Sequence, residues 1–309
     1  MKRKILLKAG YILVLLALVF QGCKKEDDGQ AAKDQELRQL QAYIEDNNIT
    51  QEPTASGLYY IELSEGTGRE AADTYIADFE YTAVLLDGTL IYTSNEELAI
   101  KNDVFDSQKI YGPIRVQIGS SGIPGLDEGL PMMKEGGKSE MIMPSSINGF
   151  GAQTIGSSGP YSTHIYTVDL VNTFDDPVAF QDTMIASFIA EHETDSFHVS
   201  ESGLYYSIDS AGDGELISDG NLVELWYTGY FLDGRVFDSN LGTGLMSLEM
   251  PATGYIPAWD EALRLMRKGA EFTFIIPYQL GYGPYAQGQI PAYQTLVFDI
   301  KIYNVVTGN

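Results

Sequence analysis

An internal repeat divides this chain of 309 residues into two similar halves. Residues 56–60 (SGLYY) recur at 202–206, which is 146 positions later. Further along the chain the matching positions are 133 apart, as in Asp127 and Asp260, so the first copy carries 13 extra residues, which we place near 95–112. Two similar sequences of domain length predict two domains of similar fold.

Short amphipathic stretches precede each copy of the repeat, with apolar residues spaced as on one face of a helix. We expect them to form linker and lid helices that pack on their own domains, although a dimerisation helix is conceivable. The predicted segments are a lipoprotein signal peptide (1–22), a tether with a short helix (23–52), domain 1 (53–173, with the insertion near 95–112), a linker helix (174–199) and domain 2 (200–309).

Strands and one short helix are predicted within each repeat. In the second copy, residues 222–230 and 295–305 are rich in β-branched and aromatic residues, which is typical of strands. Asp233–Gly234 marks a hairpin turn, since both residues tolerate positive φ. Residues 258–268 have apolar residues at helical spacing, and Gly269 follows them. The predicted fold class is α+β, with each domain an antiparallel sheet wrapped around one short helix.

Charge and residue counts exclude several functions. The chain has 43 Asp and Glu against 19 Lys and Arg, for a net charge of −24, and such a surface repels phosphate backbones. Nucleic acid is therefore excluded as a partner. A single Cys excludes an internal disulfide framework, and three His residues offer few ligands for a metal ion. We expect no metal and no cofactor.

The N-terminus has the features of a bacterial lipoprotein signal. Basic residues at 2–4 precede an apolar run at 11–20, which is too short to span a bilayer comfortably. The run ends in Gly22 and Cys23, as in a lipoprotein cleavage box, and the charged residues 24–28 resemble an export signal of Bacteroidetes lipoproteins. We expect lipidation at Cys23 and anchoring to the bacterial outer membrane, on the periplasmic face or at the cell surface; the alternative is a buried, unmodified Cys23.

The second copy carries a series of motifs in a defined order. They are 226–230 (WYTGY), 236–239 (VFDS), 256–263 (IPAWDEAL), 281–283 (GYG), 290–291 (IP) and 296–300 (LVFDI). This series resembles the FK506-binding-protein (FKBP) type of peptidyl-prolyl cis-trans isomerase, and the first copy repeats its framework. The resemblance implies two FKBP-like domains. With the lipoprotein signal, the chain is also similar to tandem FKBP-domain lipoproteins of Bacteroidetes, including a type associated with gliding motility.

The resemblance implies a site for a proline ring in domain 2. Trp259 would form the floor, Tyr282 would donate its hydroxyl to the substrate carbonyl, and Asp238 would accept a hydrogen bond from Tyr227. Met246 stands approximately where another wall aromatic is expected. Each aromatic residue alone is also typical of a sheet core, but their joint spacing favours a site. The implied catalytic residues are Tyr227, Phe237, Asp238, Ile256, Trp259, Tyr282 and Phe298, with Tyr227, Phe237 and Phe298 as walls and the Ile256 backbone holding the peptide.

In domain 1 the same pattern is incomplete. Leu126 stands at the position of Trp259, and Phe150 lacks the hydroxyl that a tyrosine would provide. At the Phe–Asp position the direct register gives Ile91–Tyr92, whereas Phe105–Asp106 in the insertion offers a second register. We expect a weak isomerase or a peptide-binding relic. The candidate substrate-binding residues of domain 1 are Tyr81, Phe105, Asp106, Ile123, Leu126, Phe150 and Tyr166.

Isomerising an Xaa–Pro bond means twisting a peptide bond past a barrier of about 18–20 kcal/mol without breaking any bond, so no nucleophile or metal is required. The twisted amide is less dipolar than the planar one, and a dry aromatic cup favours it. The resemblance implies an isomerase that acts on Pro-containing polypeptides and assists the folding of exported envelope or surface proteins. The alternative is a non-catalytic chaperone or assembly lipoprotein that binds extended peptides in the same clefts.

Overall fold

The computed structural model describes residues 28–192 and 196–307, so the predicted signal peptide and Cys23 lie outside the described residues. Two antiparallel sheets follow each other along this part of the chain. The strands of the first are β1 (Tyr59–Ser64), β2 (Ile76–Leu85), β3 (Leu90–Thr93), β4 (Ile114–Gln117), β5 (Lys138–Met143) and β6 (His164–Phe174). The strands of the second are β7 (His198–Val199), β8 (Tyr205–Leu216), β9 (Asn221–Phe231), β10 (Val236–Ser239), β11 (Met246–Glu249), β12 (Arg267–Ile276) and β13 (Leu296–Thr307).

The two sheets have the same topology. The strand order in domain 1 is β1–β5–β6–β2–β3, with β4 paired to β2, and in domain 2 it is β8–β12–β13–β9–β10, with β11 paired to β9. The short strand β7 extends the second sheet beside β8. This correspondence confirms the α+β class and the duplicated fold that the repeat predicts.

Helices pack on both faces of the sheets. They are α1 (Asp28–Asp46), α2 (Glu96–Lys101), α3 (Pro124–Gly129), α4 (Pro177–Glu191) and α5 (Pro257–Arg264), with 3₁₀ turns at Leu130–Met132 and Tyr278–Leu280. Each sheet wraps around one helix, α3 in domain 1 and α5 in domain 2, and α2 belongs to the insertion. Within the described ranges, no helix has the length and apolar character needed to cross a membrane.

The two inner helices begin in the same way. Each has a proline in its first turn, where the missing N–H costs no hydrogen bond. An aspartate in the same turn ties down the preceding loop: Oδ1 of Asp127 accepts from the backbone of residues 119 and 121, and Oδ1 of Asp260 accepts from Ala252 at 2.9 Å. In domain 2, Ile256 and Trp259 lie where this loop meets the start of α5.

Helix α5 is shorter than the sequence predicts. The predicted helix spans 258–268, but α5 ends at Arg264 and β12 begins at Arg267. Gly269, with φ of 79°, lies within the strand rather than after the helix. The prediction was wrong because pairing of β12 with β8 outweighs the local helical pattern.

The outer helices α1 and α4 pack on their own domains, as predicted. Leu40 and Ile44 of α1 contact Ile142 and Ile165, and Ile185 and Phe188 of α4 contact Ile275 and Val297. Val297 and its neighbour Phe298 point to opposite faces of the sheet, and Phe298 faces α5. Helix α4 therefore covers the far face of the sheet, and the expectation that it forms a lid was wrong.

A buried polar side chain anchors each outer helix at the same place in the repeat. In α1, Glu36 accepts hydrogen bonds from the backbone and hydroxyl of Ser145, both at 2.6 Å, and from the Thr163 hydroxyl at 3.0 Å. In α4, Gln181 accepts from the backbone of Tyr278 at 2.7 Å. Buried polar groups require such partners, so the duplication extends to how the helices dock.

Polar groups also join the two domains. Arg115 on β4 forms a bidentate pair with Asp78 on β2, with distances of 2.6 and 2.8 Å, and both side chains are about nine-tenths buried. Nη1 of Arg115 donates to the carbonyl oxygen of Tyr293 in domain 2 at 3.0 Å. The carboxylate compensates the buried guanidinium and orients it toward the second domain.

Candidate functional site

A cavity of about 720 Å³ lies in domain 2 between the sheet and the start of α5. This volume is in the range of ligand-binding pockets. Residues from β9, β10, α5, β13 and the connecting loops meet there. All seven residues that the resemblance implies line it, namely Tyr227, Phe237, Asp238, Ile256, Trp259, Tyr282 and Phe298.

A glycine lets two of the cavity walls approach each other. Phe298 on β13 pairs with Gly229 on β9, and the register between β9 and β10 shifts beside Phe237. A Cβ on Gly229 would lie 2.7 Å from the ring of Phe237 and 2.8 Å from the ring of Phe298. Both distances are below van der Waals contact, so any larger residue would displace a ring.

Four aromatic rings form an apolar cup. The rings of Tyr227 and Phe298 meet the indole of Trp259 edge to face, with centroids 5.4 and 5.5 Å apart. Phe237 meets Phe298 in the same geometry at 5.5 Å. Such pairs are favourable and hold the rings in fixed positions. Trp259 is only 4% exposed, which fits the base of a cup rather than its rim.

The rim of the cup carries polar groups. The Tyr227 hydroxyl donates to Oδ2 of Asp238 at 2.7 Å, the contact expected from the sequence. Burial raises the pKa of Tyr227, and the hydrogen bond to Asp238 and its charge raise it further. Burial, followed by the charge of Asp238, also raises the pKa of Tyr282. Both phenols therefore keep their protons near neutral pH, and Tyr282 can serve as a hydrogen-bond donor at the rim.

Sequence reasoning missed part of the lining. Tyr255 stacks on Trp259, with centroids 5.3 Å and planes 13° apart, and its place directly before the IPAW motif was an available signal. Residues 287–290 also line the cavity, and the Ile–Pro motif at 290–291 could have indicated them. Met246 lines it where an aromatic wall was expected. Ile110 comes from the insertion of domain 1, and no sequence pattern indicates that contact.

The matching residues of domain 1 form a cluster of different composition. The rings of Tyr81 and Tyr166 stack with their centroids 5.9 Å apart, and the ring centroids of Phe150 and His164 lie 5.4 Å apart. The ring of His164 also lies near that of Tyr166, with centroids 6.4 Å apart. The structure thus brings Phe150 next to the apolar cluster that contains Tyr81, Ile123, Leu126 and Tyr166.

His164 is a buried titratable group of this cluster. Its Nε2 lies 2.7 Å from Oγ of Ser158, and among the described residues its Nδ1 has no hydrogen-bond partner. Burial lowers the pKa of His164 to about 4. The ring is therefore neutral at pH 7. Leu296 stands at the corresponding strand position in domain 2.

The strand pairing follows the direct register in domain 1. Tyr92 on β3 pairs with Ala83 on β2, as Asp238 on β10 pairs with Gly229 on β9. Phe105–Asp106 is exposed on the insertion, after β3 has ended. The structure therefore does not bring Phe105–Asp106 to the position of the Phe–Asp pair, because β3 already fills it.

The geometry defines a class of site. An apolar aromatic cup suits a small saturated ring, and hydroxyl groups at its rim suit the carbonyl groups of a peptide. In residues 28–192 and 196–307, no group of three or more His, Cys, Asp or Glu side chains could hold a metal ion. The fold and the site are those of an α+β domain with an aromatic cleft that carries polar groups at its rim.

A family comparison agrees with this class. The model described as FKBP-type peptidyl-prolyl cis-trans isomerase matches residues 68–171 and 214–303, which is more than half of the chain and includes both domains. The chain belongs to the FKBP-type peptidyl-prolyl cis-trans isomerase family.

Two proteins of similar sequence are also FKBP-type peptidyl-prolyl cis-trans isomerases by name. A probable FKBP-type peptidyl-prolyl cis-trans isomerase of Haemophilus influenzae is 39% identical over 107 residues, which are 34% of this chain and 44% of that protein. The FKBP-type 22 kDa peptidyl-prolyl cis-trans isomerase of Escherichia coli K12 is 38% identical over 108 residues, 35% of this chain and 52% of that protein. The chain thus spans about half the length of these curated relatives.

Solved structures include similar chains. The crystal structure of FkpA from Escherichia coli matches 43% of this chain and 64% of its own, at 29% identity and a TM-score of 0.37. The structure of the three FKBP domains of wheat FKBP73 matches 82% of this chain and 96% of its own, at 18% identity and a TM-score of 0.34.

Proposed function

We propose that this protein is a peptidyl-prolyl cis-trans isomerase whose active site is the cavity of domain 2. The observation that carries this proposal is that one cavity is lined by all seven residues implied by the family motifs, with aromatic rings in mutual contact. Membership of the family supports the same activity. The proposed substrates are polypeptides that contain proline, and the proposed role is to assist the folding of exported envelope or surface proteins.

The apolar cup supplies the main catalytic effect. Rotation about an amide passes a barrier of about 18–20 kcal/mol, and the planar amide is more dipolar than the twisted one. Water therefore stabilises the planar state more than the twisted state. When the prolyl ring sits on Trp259 and excludes water, the planar state loses this advantage and the barrier falls.

Polar groups hold the peptide while it turns. The Tyr282 hydroxyl donates to a substrate carbonyl, and the backbone of Ile256 holds the peptide beside the cup. Asp238 orients the ring of Tyr227 by accepting a hydrogen bond from its hydroxyl at 2.7 Å, which keeps that wall in place. Donors that are already oriented contribute to the transition state without further rearrangement.

A matched pair of substitutions in the full chain tests this proposal. Asp238→Ala removes the acceptor of the Tyr227 hydroxyl, and Tyr92→Ala changes the matching position of domain 1. In a protease-coupled assay on short Xaa–Pro peptides, we expect Asp238→Ala to lower kcat/KM about tenfold, the effect of losing one hydrogen bond to a charged group. Tyr92→Ala should change kcat/KM by less than about twofold.

The same experiment addresses the alternative function. If the parent chain binds Xaa–Pro peptides but does not accelerate their isomerisation, the protein is a non-catalytic peptide-binding chaperone or assembly factor. If Tyr92→Ala lowers the rate as much as Asp238→Ala does, the activity does not reside in domain 2 alone. Either result contradicts the assignment of isomerase activity to the cavity of domain 2.

We also propose that the protein is exported and anchored to the bacterial outer membrane through lipid on Cys23. The basic residues, the apolar run and the Gly22–Cys23 pair support this, and so does the resemblance to Bacteroidetes lipoproteins, including the gliding-motility type. Metabolic labelling with a palmitate analogue should label the parent protein and not Cys23→Ser. Labelling of both proteins, or of neither, would contradict the proposed anchor.

A further inference from the structure

The cavity of domain 2 is completed by a residue of domain 1. Ile110, from the insertion, lines the cavity, and its half-buried side chain packs against the core cluster of domain 2. That cluster includes Ile256, Trp259 and Ile290. The extra residues of domain 1 therefore form part of the wall of the other domain's site.

Polar contacts fix residues 108–113, here called the rim segment, to both sides of the cavity mouth. Oε1 of Gln289 accepts from the backbone N–H of Ile110 at 2.5 Å, and Nε2 of Gln289 donates to the carbonyl oxygen of residue 108. Nη1 of Arg235 donates to the carbonyl oxygens of residues 111 and 113, at 3.0 and 3.2 Å. Gln289 lies in a lining loop and Arg235 is two residues from Phe237, so the rim segment bridges two cavity walls.

The rim segment is anchored to domain 1 as well. Nζ of Lys109 donates to the carbonyl oxygen of Thr93 at 2.6 Å and lies 5.7 Å from the centroid of the Tyr81 ring. Two consecutive side chains therefore contact different domains: Lys109 contacts domain 1 and Ile110 contacts domain 2. This attachment on both sides keeps the apolar side chain of Ile110 at the rim.

We propose that Ile110 is a specificity-determining residue of the isomerase activity, and this inference rests on the function proposed above. It forms a subsite for an apolar substrate side chain that flanks the Xaa–Pro pair. With its prolyl ring on Trp259, a peptide leaves the cup across the rim, where Ile110 presents apolar surface. An apolar side chain there removes that surface from water, whereas a charged one loses hydration without gaining a partner.

The test uses the full chain and peptides with one constant Xaa–Pro pair, in which Leu, Ser or Glu occupies each nearby flanking position in turn. At one flanking position we expect kcat/KM to be about fivefold higher for Leu than for Ser in the parent protein. Ile110→Ala should remove this preference through KM, and in a second peptide series, in which only Xaa varies, it should leave the preference for Xaa unchanged. Gln289→Ala removes two of the hydrogen bonds that hold the rim segment without changing Ile110, and it should weaken the same preference.

Ile100→Ala is the matched control, because Ile100 is an exposed isoleucine in α2 of the same insertion. It should keep the preference. A preference that survives Ile110→Ala, or a parent protein without one, overturns the proposal. An equal rise in kcat/KM for all peptides would also overturn it, since the rim segment would then obstruct the site.

Failure of the isomerase function is distinguishable from failure of this inference. If the parent protein catalyses no peptide, the proposed function fails, and dissociation constants for the same peptides, measured by tryptophan fluorescence, take the place of kcat/KM. A Leu preference in binding that Ile110→Ala removes then upholds the subsite. If the parent is active and Ile110→Ala leaves every flanking preference intact, only the inference fails.

Discussion

The two domains share a framework but differ at many of the positions in and around the cavity. Strand order, the proline at the start of the inner helix and the aspartate that ties down the preceding loop occur in both. Among the lining positions, with domain 2 given first, the pairs that differ include Trp259 and Leu126, Phe237 and Ile91, Asp238 and Tyr92, Tyr282 and Phe150, and Phe298 and Tyr166. On the strands that carry these residues, Gly229 and Ala83 differ as well, and so do Leu296 and His164. The shared framework therefore does not fix which side chains fill these positions, so it can hold two different clusters.

The insertion makes the two halves unequal in a second way. In domain 1, Lys109 of the rim segment lies over the ring of Tyr81, whereas the matching Tyr227 faces the cavity. The next residue, Ile110, reaches the cavity of domain 2. Domain 1 is therefore an accessory to the site of its neighbour as well as a divergent copy.

Acid should separate the stabilities of the two domains, and this is the largest effect we expect. Burial lowers the pKa of His164 from 6.5 to about 4, so between these values the unfolded chain binds a proton that the folded domain 1 does not. The stability of domain 1 should therefore fall as pH drops from about 6.5 to 4, by at most about 3 kcal/mol from this group. Protection factors of amide protons in β6, corrected for intrinsic exchange at each pH, measure this change.

His164→Leu, which introduces the residue type of domain 2, should flatten that pH dependence. His198→Asn is the control, because His198 is exposed, and it should leave the dependence unchanged. Both tryptophans of the chain, Trp226 and Trp259, lie in domain 2, so their fluorescence during urea unfolding reports that domain separately. A pH dependence of β6 that is the same in His164→Leu as in the parent would refute the assignment to His164.

Gly229→Ala should damage the cavity of domain 2 by giving it the residue of domain 1. The added Cβ would lie 2.7 and 2.8 Å from the rings of Phe237 and Phe298, so at least one wall must move. We expect kcat/KM for Xaa–Pro peptides to fall about tenfold, because a small displacement of a wall disturbs the seat of the prolyl ring.

Ala83→Gly is the reciprocal substitution in domain 1. It should leave kcat/KM within about twofold of the parent value, although it lowers stability, since glycine in a strand costs conformational entropy. Equal losses from both substitutions would mean that the two clusters contribute equally to activity, and the contrast drawn between the domains would be wrong.

Structural features that depend on one domain alone could be predicted from the sequence. The repeat and the motif order indicate two α+β domains, and the seven implied residues of domain 2 meet in one cavity because each belongs to a motif whose place in the fold is fixed by strand order. The end of α5 could not be predicted, because residues 265–268 have helical spacing and only the pairing of β12 with β8 overrides it.

Contacts between the domains could not be predicted from the sequence. Ile110 and Gln289 are 179 positions apart, and their hydrogen bond depends on how two finished domains pack together. No periodicity or motif encodes that packing, since an isoleucine in a surface insertion is typical of many loops. The stacking of Tyr255 on Trp259 was missed for a different reason: Tyr255 stands one residue before the motif, which begins at Ile256.

The smallest effect expected is that of a single hydroxyl. Tyr282→Phe gives domain 2 the ring of Phe150, and it removes one donor from the rim while keeping the aromatic wall. Because burial and the charge of Asp238 raise the pKa of Tyr282, the parent donates this hydrogen bond throughout the neutral range. Losing one neutral hydrogen bond should lower kcat/KM about threefold, mainly in kcat if the bond strengthens as the amide twists. Tyr285→Phe, at a tyrosine that is 75% exposed, should have no effect, and a loss confined to KM in Tyr282→Phe would show that the hydroxyl only binds the ground state.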